Sequence, residues 1–303
     1  MRVGMSLSSA HRVEDAREGA RWMVERAAAA RDAGLDSLFV GDHHVTGPGK
    51  YYQNVPIMGR ILAEWQGRPA GCLFLLPLWH PVLLAEQVGT LASIHDGRFI
   101  MQCAVGPADA QFSGMGIDPH FRPSMFEESL DIMRRLWAGE TVSGSRRFSF
   151  TDARIAPLPP EGVEVWIGGE ADAALERAAR LGDGWLAAPG VSIEDAAMMA
   201  TRFMQHRAVL DEPAVVAIRR DIYVGESDEE AEQVARPILD RGYRGFAPGV
   251  AIYGSAETVA RKLRAFAPHG YSEVLARNLV PDQALALKSI ERLGRVRELL
   301  AEA

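Results

Sequence analysis

The chain runs to 303 residues, 48% of them hydrophobic and 24% charged, which is too long for a minimal disulfide-stapled domain and long enough for one large core or two modest ones. A formal charge of −7, from 33 Lys and Arg against 40 Asp and Glu, argues against a general affinity for nucleic acid. Two cysteines in apolar runs, Cys72 and Cys103, argue against a disulfide framework or a structural zinc site.

Taken in chain order, short apolar runs recur, each followed by a segment of helical period, the pattern of parallel βα units. They begin near Arg2 (RVGMSLS), Ser37 (SLFVGD), Ala70 (AGCLFLLPL), Phe99 (FIMQCAVG), Val163 (VEVWIGG), Gly184 (GWLAAP), Ala214 (AVVAIRRDIYV) and Glu273 (EVLARNL). The first helix carries Met23, Ala27 and Ala30 on one face and stops at Gly34. A helix from Ala171 to Leu181 has Ala174, Leu175 and Ala178 in its stripe, with Glu176 and Arg180 spaced for an ion pair. The last helix, from Asp282 to about Leu300, buries Leu285, Ile290, Leu293 and Val296. Eight such units are expected to close as an α/β fold, a (β/α)8 TIM barrel forming one domain over residues 1–303, with insertions after strands 4 and 7. An open dinucleotide-binding sheet would want GxGxxG after the first strand, where SLSSAHRVED stands instead.

In a barrel, chemistry belongs at the C-terminal strand ends. The second strand ends Gly41-Asp42-His43-His44: a carboxylate beside an imidazole suits acid/base work, and one of the two His can face the mouth. The third ends in bulky apolar residues up to Trp79-His80-Pro81, a wall for a flat ring, with Pro81 starting the next helix. The fourth ends Val105-Gly106-Pro107-Ala108-Asp109, where glycine admits close approach and Asp109 can meet a polar group. The fifth ends Gly168-Gly169 and runs straight into a helix, so free amides there can hold a phosphate; the plainer reading is a tight turn. Arg122 and Ser124 lie near the mouth, where Ser124 reads most simply as a helix N-cap. No metal site is expected, because His80 and Asp109 offer one ligand each.

Five stretches in this order, AAAARDAGLDSLFVGDHH, PLWHPVLLAEQVGTLASIHDGRF, FEESLDIMRRLWAGE, VWIGGEADAALERAARLGDGW and GSAETVARKLRAFAPHGYSE, resemble the bacterial luciferase-like monooxygenases and their flavin- or deazaflavin-dependent oxidoreductase relatives. The resemblance implies a coenzyme, FMN or the deazaflavin F-420, at the barrel mouth, and hydride transfer or monooxygenation on it. It implies that Asp42 and His43 meet the ring, with His43 the acid/base residue. It also implies a bulge with a non-prolyl cis peptide at Leu73–Phe74 behind the ring, and Asp109 near the reaction centre. Gly106 matches the loop after the fourth strand, although the usual VGxG is Val105-Gly106-Pro107-Ala108 here. Gly168 and Gly169 match the phosphate side. The fifth-strand stretch leans toward deazaflavin members without separating F-420 from FMN.

The loop from Pro107 to Pro123, with Phe112, Met115 and Phe121, is expected to cover the mouth and favour an apolar substrate. The segment from Arg241 to Gly254 serves the same pocket or an oligomer contact. A small-molecule substrate, a flavin or F-420 reductase and a homodimer are the expected partners, with no nucleic acid and no membrane. No run is long enough for a membrane span and MRVGMSLSS is a poor secretory signal, so a soluble cytoplasmic protein is expected. The alternatives are a non-catalytic flavin-binding accessory subunit and a metal-dependent hydrolase on the same barrel.

Overall fold

Eight parallel strands form a closed ring in the computed structural model, which describes residues 1–210, 213–246 and 249–302. They are β1 (Arg2–Leu7), β2 (Leu38–Val40), β3 (Ala70–Leu75), β4 (Phe99–Ala104), β5 (Glu164–Gly168), β6 (Gly184–Ala187), β7 (Val215–Val224) and β8 (Glu273–Asn278). Each pairs with the next, and β8 pairs with β1 from Glu273↔Arg2 to Ala276↔Met5, which closes the (β/α)8 barrel. Ile252–Gly254 adds a short parallel strand along the far end of β7.

The ring forms because the strand residues are apolar on both faces. Phe39, Ile100, Trp166, Ala217 and Leu275 point inward and are at most 1% exposed. Residues of opposite parity, such as Val3, Leu38, Cys72, Met101, Val165 and Val274, pack beneath the helices. Gly71 is forced by closeness: a Cβ there would lie 1.8 Å from the Ile100 carbonyl oxygen on β4. The N-terminal end of the barrel is plugged by Glu273, which pairs with Arg2 at 2.8 Å and accepts from the Ser37 hydroxyl.

The helices are α1 (Ala16–Asp32), α2 (Asn54–Ile61), α3 (Pro81–Ile94), α4 (Ala110–Gly114), α5 (Arg122–Trp137), α6 (Asp172–Leu181), α7 (Ile193–Arg207), α8 (Asp228–Leu239), α9 (Ala256–Arg264) and α10 (Gln283–Ala301). Met23, Ala27 and Ala30 are the buried face of α1, and Gly34 turns the chain with φ of 75°. Ile290, Leu293 and Val296 are buried on α10, while Leu285 is half-buried. Two sequence readings are corrected. Arg180 reaches across to Glu127 on α5 at 3.0 Å, where Arg177 also binds, so the pair with Glu176 gives way to a bridge between helices. Ser124 lies inside the first turn of α5, its hydroxyl donating to the Phe121 carbonyl, and the N-cap is Phe121.

Between β4 and β5 the chain carries α4, α5 and an antiparallel hairpin, Val142–Ser145 with Ser149–Ala153. Between β7 and β8 it carries α8, the added strand and α9; Ala247 and Pro248 of the Arg241–Gly254 segment lie outside the described residues. Among the described residues no helix is long and apolar enough to cross a membrane.

Candidate active site

Strand alternation carries the inward-facing set from the sealed layer of Phe39, Ile100, Trp166, Ala217 and Leu275 toward the C-terminal mouth. There the same parity brings up Ser8, Gly41, Leu73, Ala104, Gly168, Leu186, Arg219 and Arg277, all half-buried although their strands are otherwise mostly buried. The mouth is therefore an open well with an aromatic and aliphatic floor. Three of its lining residues, Gly41, Ala104 and Gly168, are the smallest available. A Cβ at Gly168 would sit 3.7 Å from Ala104, so it fits the protein and takes its space from the well. Gly169 is different: a Cβ there would press on Ala174 at 2.5 Å, so its glycine serves the close start of α6.

The wall on the β2–β3 side is built by a handover of hydrogen bonds. On the β3 side the three residues of β2 reach only Ala70–Cys72, which leaves the next groups of β3 without a neighbour from β2. Side chains complete the edge: Asn54, wholly buried on α2, donates to the Leu73 carbonyl at 2.7 Å, and Asp42 Oδ2 accepts from the Leu75 amide at 2.8 Å. The same Asp42 oxygen accepts the Trp79 indole N–H at 2.9 Å, and Oδ1 stands 3.1 Å from His44 Nε2. Asp42 is 1% exposed, its carboxylate enclosed by Leu75, Trp79 and His44. The register of β3 against β4 runs unbroken from Ala70↔Phe99 to Leu75↔Ala104, and the Leu73–Phe74 bond is trans. This corrects the expected bulge and cis bond: with every ladder group satisfied, nothing offsets the roughly 3 kcal/mol that a non-prolyl cis bond costs. Leu73 presents its side chain to the well, while Phe74 is fully buried and meets Trp79 edge-on.

His43 is exposed, its ring stacked on Tyr51 at 5.6 Å. Its Nδ1 contacts the Asp42 carbonyl. Tyr51 carries its hydroxyl close to Gly41, and burial pushes its phenol up to about 12. His44 is half-buried, edge-on to Trp79.

Asp109 is exposed and caps α4, accepting from the Gln111 amide at 3.0 Å and from its side chain at 3.1 Å. Gln111 in turn accepts from the His44 amide at 2.8 Å, which ties α4 to the end of β2. Gly106 has φ of 79°, a left-handed conformation that suits glycine. Phe112 is buried against Leu75 and Leu78, while Met115 and Phe121 are exposed at 42% and 36%. Gly168 and Gly169 lead into α6, whose N-cap is Ala171 with no side-chain cap. Arg122 donates to the Pro119 carbonyl at 3.0 Å.

The structure adds residues that sequence reasoning missed. Gln102 is buried, shares the inward parity of Ile100, and its Nε2 has no hydrogen-bond partner. Arg219 and Arg277 stand on the opposite wall from Leu73. The signal was present in AVVAIRRDIYV, where charges interrupt an otherwise apolar strand and alternation sends Arg219 inward.

Comparison with known proteins agrees with the barrel. The monooxygenase RslO1 from Streptomyces bottropensis superposes with a TM-score of 0.86 over 100% of both chains at 17% identity. The FMN-complexed oxygenating constituent of 3,6-diketocamphane monooxygenase from Pseudomonas putida superposes at 0.84, over 99% of this chain and 98% of that one, at 18% identity. An F420-dependent secondary alcohol dehydrogenase in complex with an F420–acetone adduct gives 0.82 at 17% identity, over 99% and 98%. Among curated relatives, the F420-dependent glucose-6-phosphate dehydrogenase of Nakamurella multipartita is 28% identical over 179 residues, 55% of this chain and 52% of that protein. The chain thus spans about half the length of such relatives. The profile described as luciferase-like monooxygenase matches residues 1–273, and the chain belongs to that family.

Proposed function

We propose that this chain is an oxidoreductase that works with F-420 or FMN held in the C-terminal well, for hydride transfer to or from, or monooxygenation of, a small organic substrate. The observation that carries the reading is the well itself: one half-buried inward residue from each strand, three of them minimal in size, above a sealed floor. The lining suits a flat coenzyme. Leu73 offers an apolar face, the partnerless Gln102 Nε2 offers a buried donor, and the Gly168–Gly169 turn with the uncapped start of α6 that follows it offers amides to a phosphate. The names of the relatives support the same coenzyme pair. When bound, the coenzyme supplies the two-electron chemistry.

The protein's share is orientation and proton handling. His43 Nε2 accepts or returns a proton at the rim, with the ring held against Tyr51. Asp42 positions the β3 wall through Leu75 and Trp79, with Phe74 behind it. Gly106 lets the chain turn at the fourth strand end, and Asp109 sets α4 beside it. The reading brings with it a reductase that supplies reduced coenzyme and a homodimer as the working form. The test is fluorescence titration with FMN and F-420, oxidised and reduced. Saturable binding of at least one is expected, and absence of binding with all four overturns the proposal. His43→Asn should lower turnover about 100-fold with coenzyme affinity intact; unchanged turnover removes His43 from the chemistry.

A further inference from the structure

The wall formed by β7 and β8 carries more positive charge than the fold requires. Arg219 and Arg277 point into the well from these strands, and Asp221 faces Arg277 across the ladder. Arg244, in the chain after α8, brings its Nε to 3.7 Å from Asp221 Oδ2, and the Tyr243 hydroxyl donates to the same oxygen at 2.6 Å. Arg277 donates to the Ser8 hydroxyl at 3.1 Å. Arg219 Nε lies 3.3 Å from Asp221 Oδ1, an ion pair whose geometry makes no hydrogen bond, and both its Nε and Nη2 are buried without a hydrogen-bond partner. Arg219 and Arg244 thus pair with one fully buried carboxylate, and Arg277 stands beside it in register, an excess of two positive charges on a chain of net charge −7.

The neighbouring Arg220 shows what a structural arginine looks like here. It points the other way, donates to the Pro189 and Val191 carbonyls at 2.9 and 2.8 Å, and lies over the Phe266 ring. Arg219 has no such acceptors. A buried donor left unsatisfied costs about 1–3 kcal/mol, and burial lowers the Arg219 guanidinium to about 10, which still leaves it charged at neutral pH. Arg244 adds a backbone cost of its own, at φ of 52°. In the ring order β7 and β8 stand diametrically opposite β3 and β4, whose inward residues are apolar or neutral. A coenzyme lying on the β3–β4 side with its phosphate at β5 leaves the arginine wall facing the remaining space.

We infer that Arg219, Arg277 and Arg244 form a binding site for an anionic group, a carboxylate or a phosphate, on the substrate. This rests on the reading of the well as the coenzyme site only for the assignment of the anion to substrate. Guanidinium groups are the residue type for such planar, doubly hydrogen-bonded recognition, and a cationic patch in an acidic surface also concentrates anions.

The test is calorimetric titration of the protein, with and without saturating coenzyme, with inorganic phosphate and, separately, with benzoate. Binding of at least one is expected, weakened tenfold or more in Arg219→Gln and Arg277→Gln and only partly restored in Arg219→Lys, which keeps the charge but loses the planar fork; the probe that binds identifies the group. If Arg219→Gln fails to fold, Arg277→Gln and the double variant Arg219→Gln/Asp221→Asn are measured instead. Fluorescence titration with FMN and F-420 on the same variants separates the two proposals. Anion binding that ignores the arginines, or no anion binding by wild type, overturns the inference. So does an equal loss of coenzyme affinity in the variants, which would give the arginines to the coenzyme. If wild type takes up neither coenzyme but retains arginine-dependent anion binding, the coenzyme reading fails and the anion site stands.

Discussion

Asp42 illustrates how one buried carboxylate can organise the wall of a candidate site. One oxygen serves both the Leu75 amide and the Trp79 indole, so Asp42→Ala leaves two buried donors unpaired and should lower stability by about 2–4 kcal/mol in urea denaturation. Asp42→Asn keeps an acceptor and should lose much less; equal losses would refute the hydrogen-bond account. Gly168→Ala makes the converse prediction. Its methyl fits the protein, so the melting temperature should hold, while coenzyme affinity falls at least tenfold because the methyl occupies the well. His11 sets a pH dependence. Buried against Trp22 and Tyr52 with Nε2 on the Ser8 carbonyl, it is lowered by burial and then by Arg26 to about 4, against 6.5 when unfolded. The folded state thus favours neutral His11, so stability is present above about 6.5 and falls as the pH drops toward 4, by on the order of 3 kcal/mol. His95 shifts the same way, also by burial. His11→Gln should flatten that slope in denaturation measured from pH 7 to pH 4.

At the scale of elements, α4 is fixed by the buried Phe112 and by one hydrogen-bonding side chain that reaches the end of β2. Gln111 bridges the Asp109 carboxylate and the His44 amide, so Gln111→Ala should speed amide exchange across residues 105–116 while global stability changes little. An unchanged exchange rate would show that Phe112 alone anchors the helix. Such links were beyond the sequence because they join residues far apart in the chain, and nothing local distinguishes Gln111 from any exposed glutamine. The strands were legible for the opposite reason: a stave buried on both faces must be apolar along its length, and all eight runs appear as strands. Caps divided between the two cases. Pro81 starts α3 as expected, but Ser124 yields to the backbone at Phe121, since a serine in the first turn satisfies itself on the preceding carbonyl.

The whole barrel depends on a seam where the first and last strands meet, flanked by α1 and α10. Gly294 on α10 lies against the Ala33 carbonyl, which a Cβ would approach to 2.7 Å. Gly294→Val should therefore part the two helices and cost several kcal/mol in urea denaturation, whereas substitutions at exposed Lys288 should not. Ring closure could be read from eight repeated units, but the chemistry of the mouth could be read only in part, because the repeat says which residues face inward and not which lack partners. One consequence follows from the unequal walls. With neutral residues on β3 and β4 and an excess of positive charge on β7 and β8, the well carries a transverse electric field. Two charges at about 10 Å and an effective dielectric of about 20 lower the energy of a negative charge by about 3 kcal/mol. Electron density in a flat molecule lying against the β3–β4 wall would therefore be drawn toward the face that looks at β7 and β8, giving its two faces unequal reactivity before any side chain touches it.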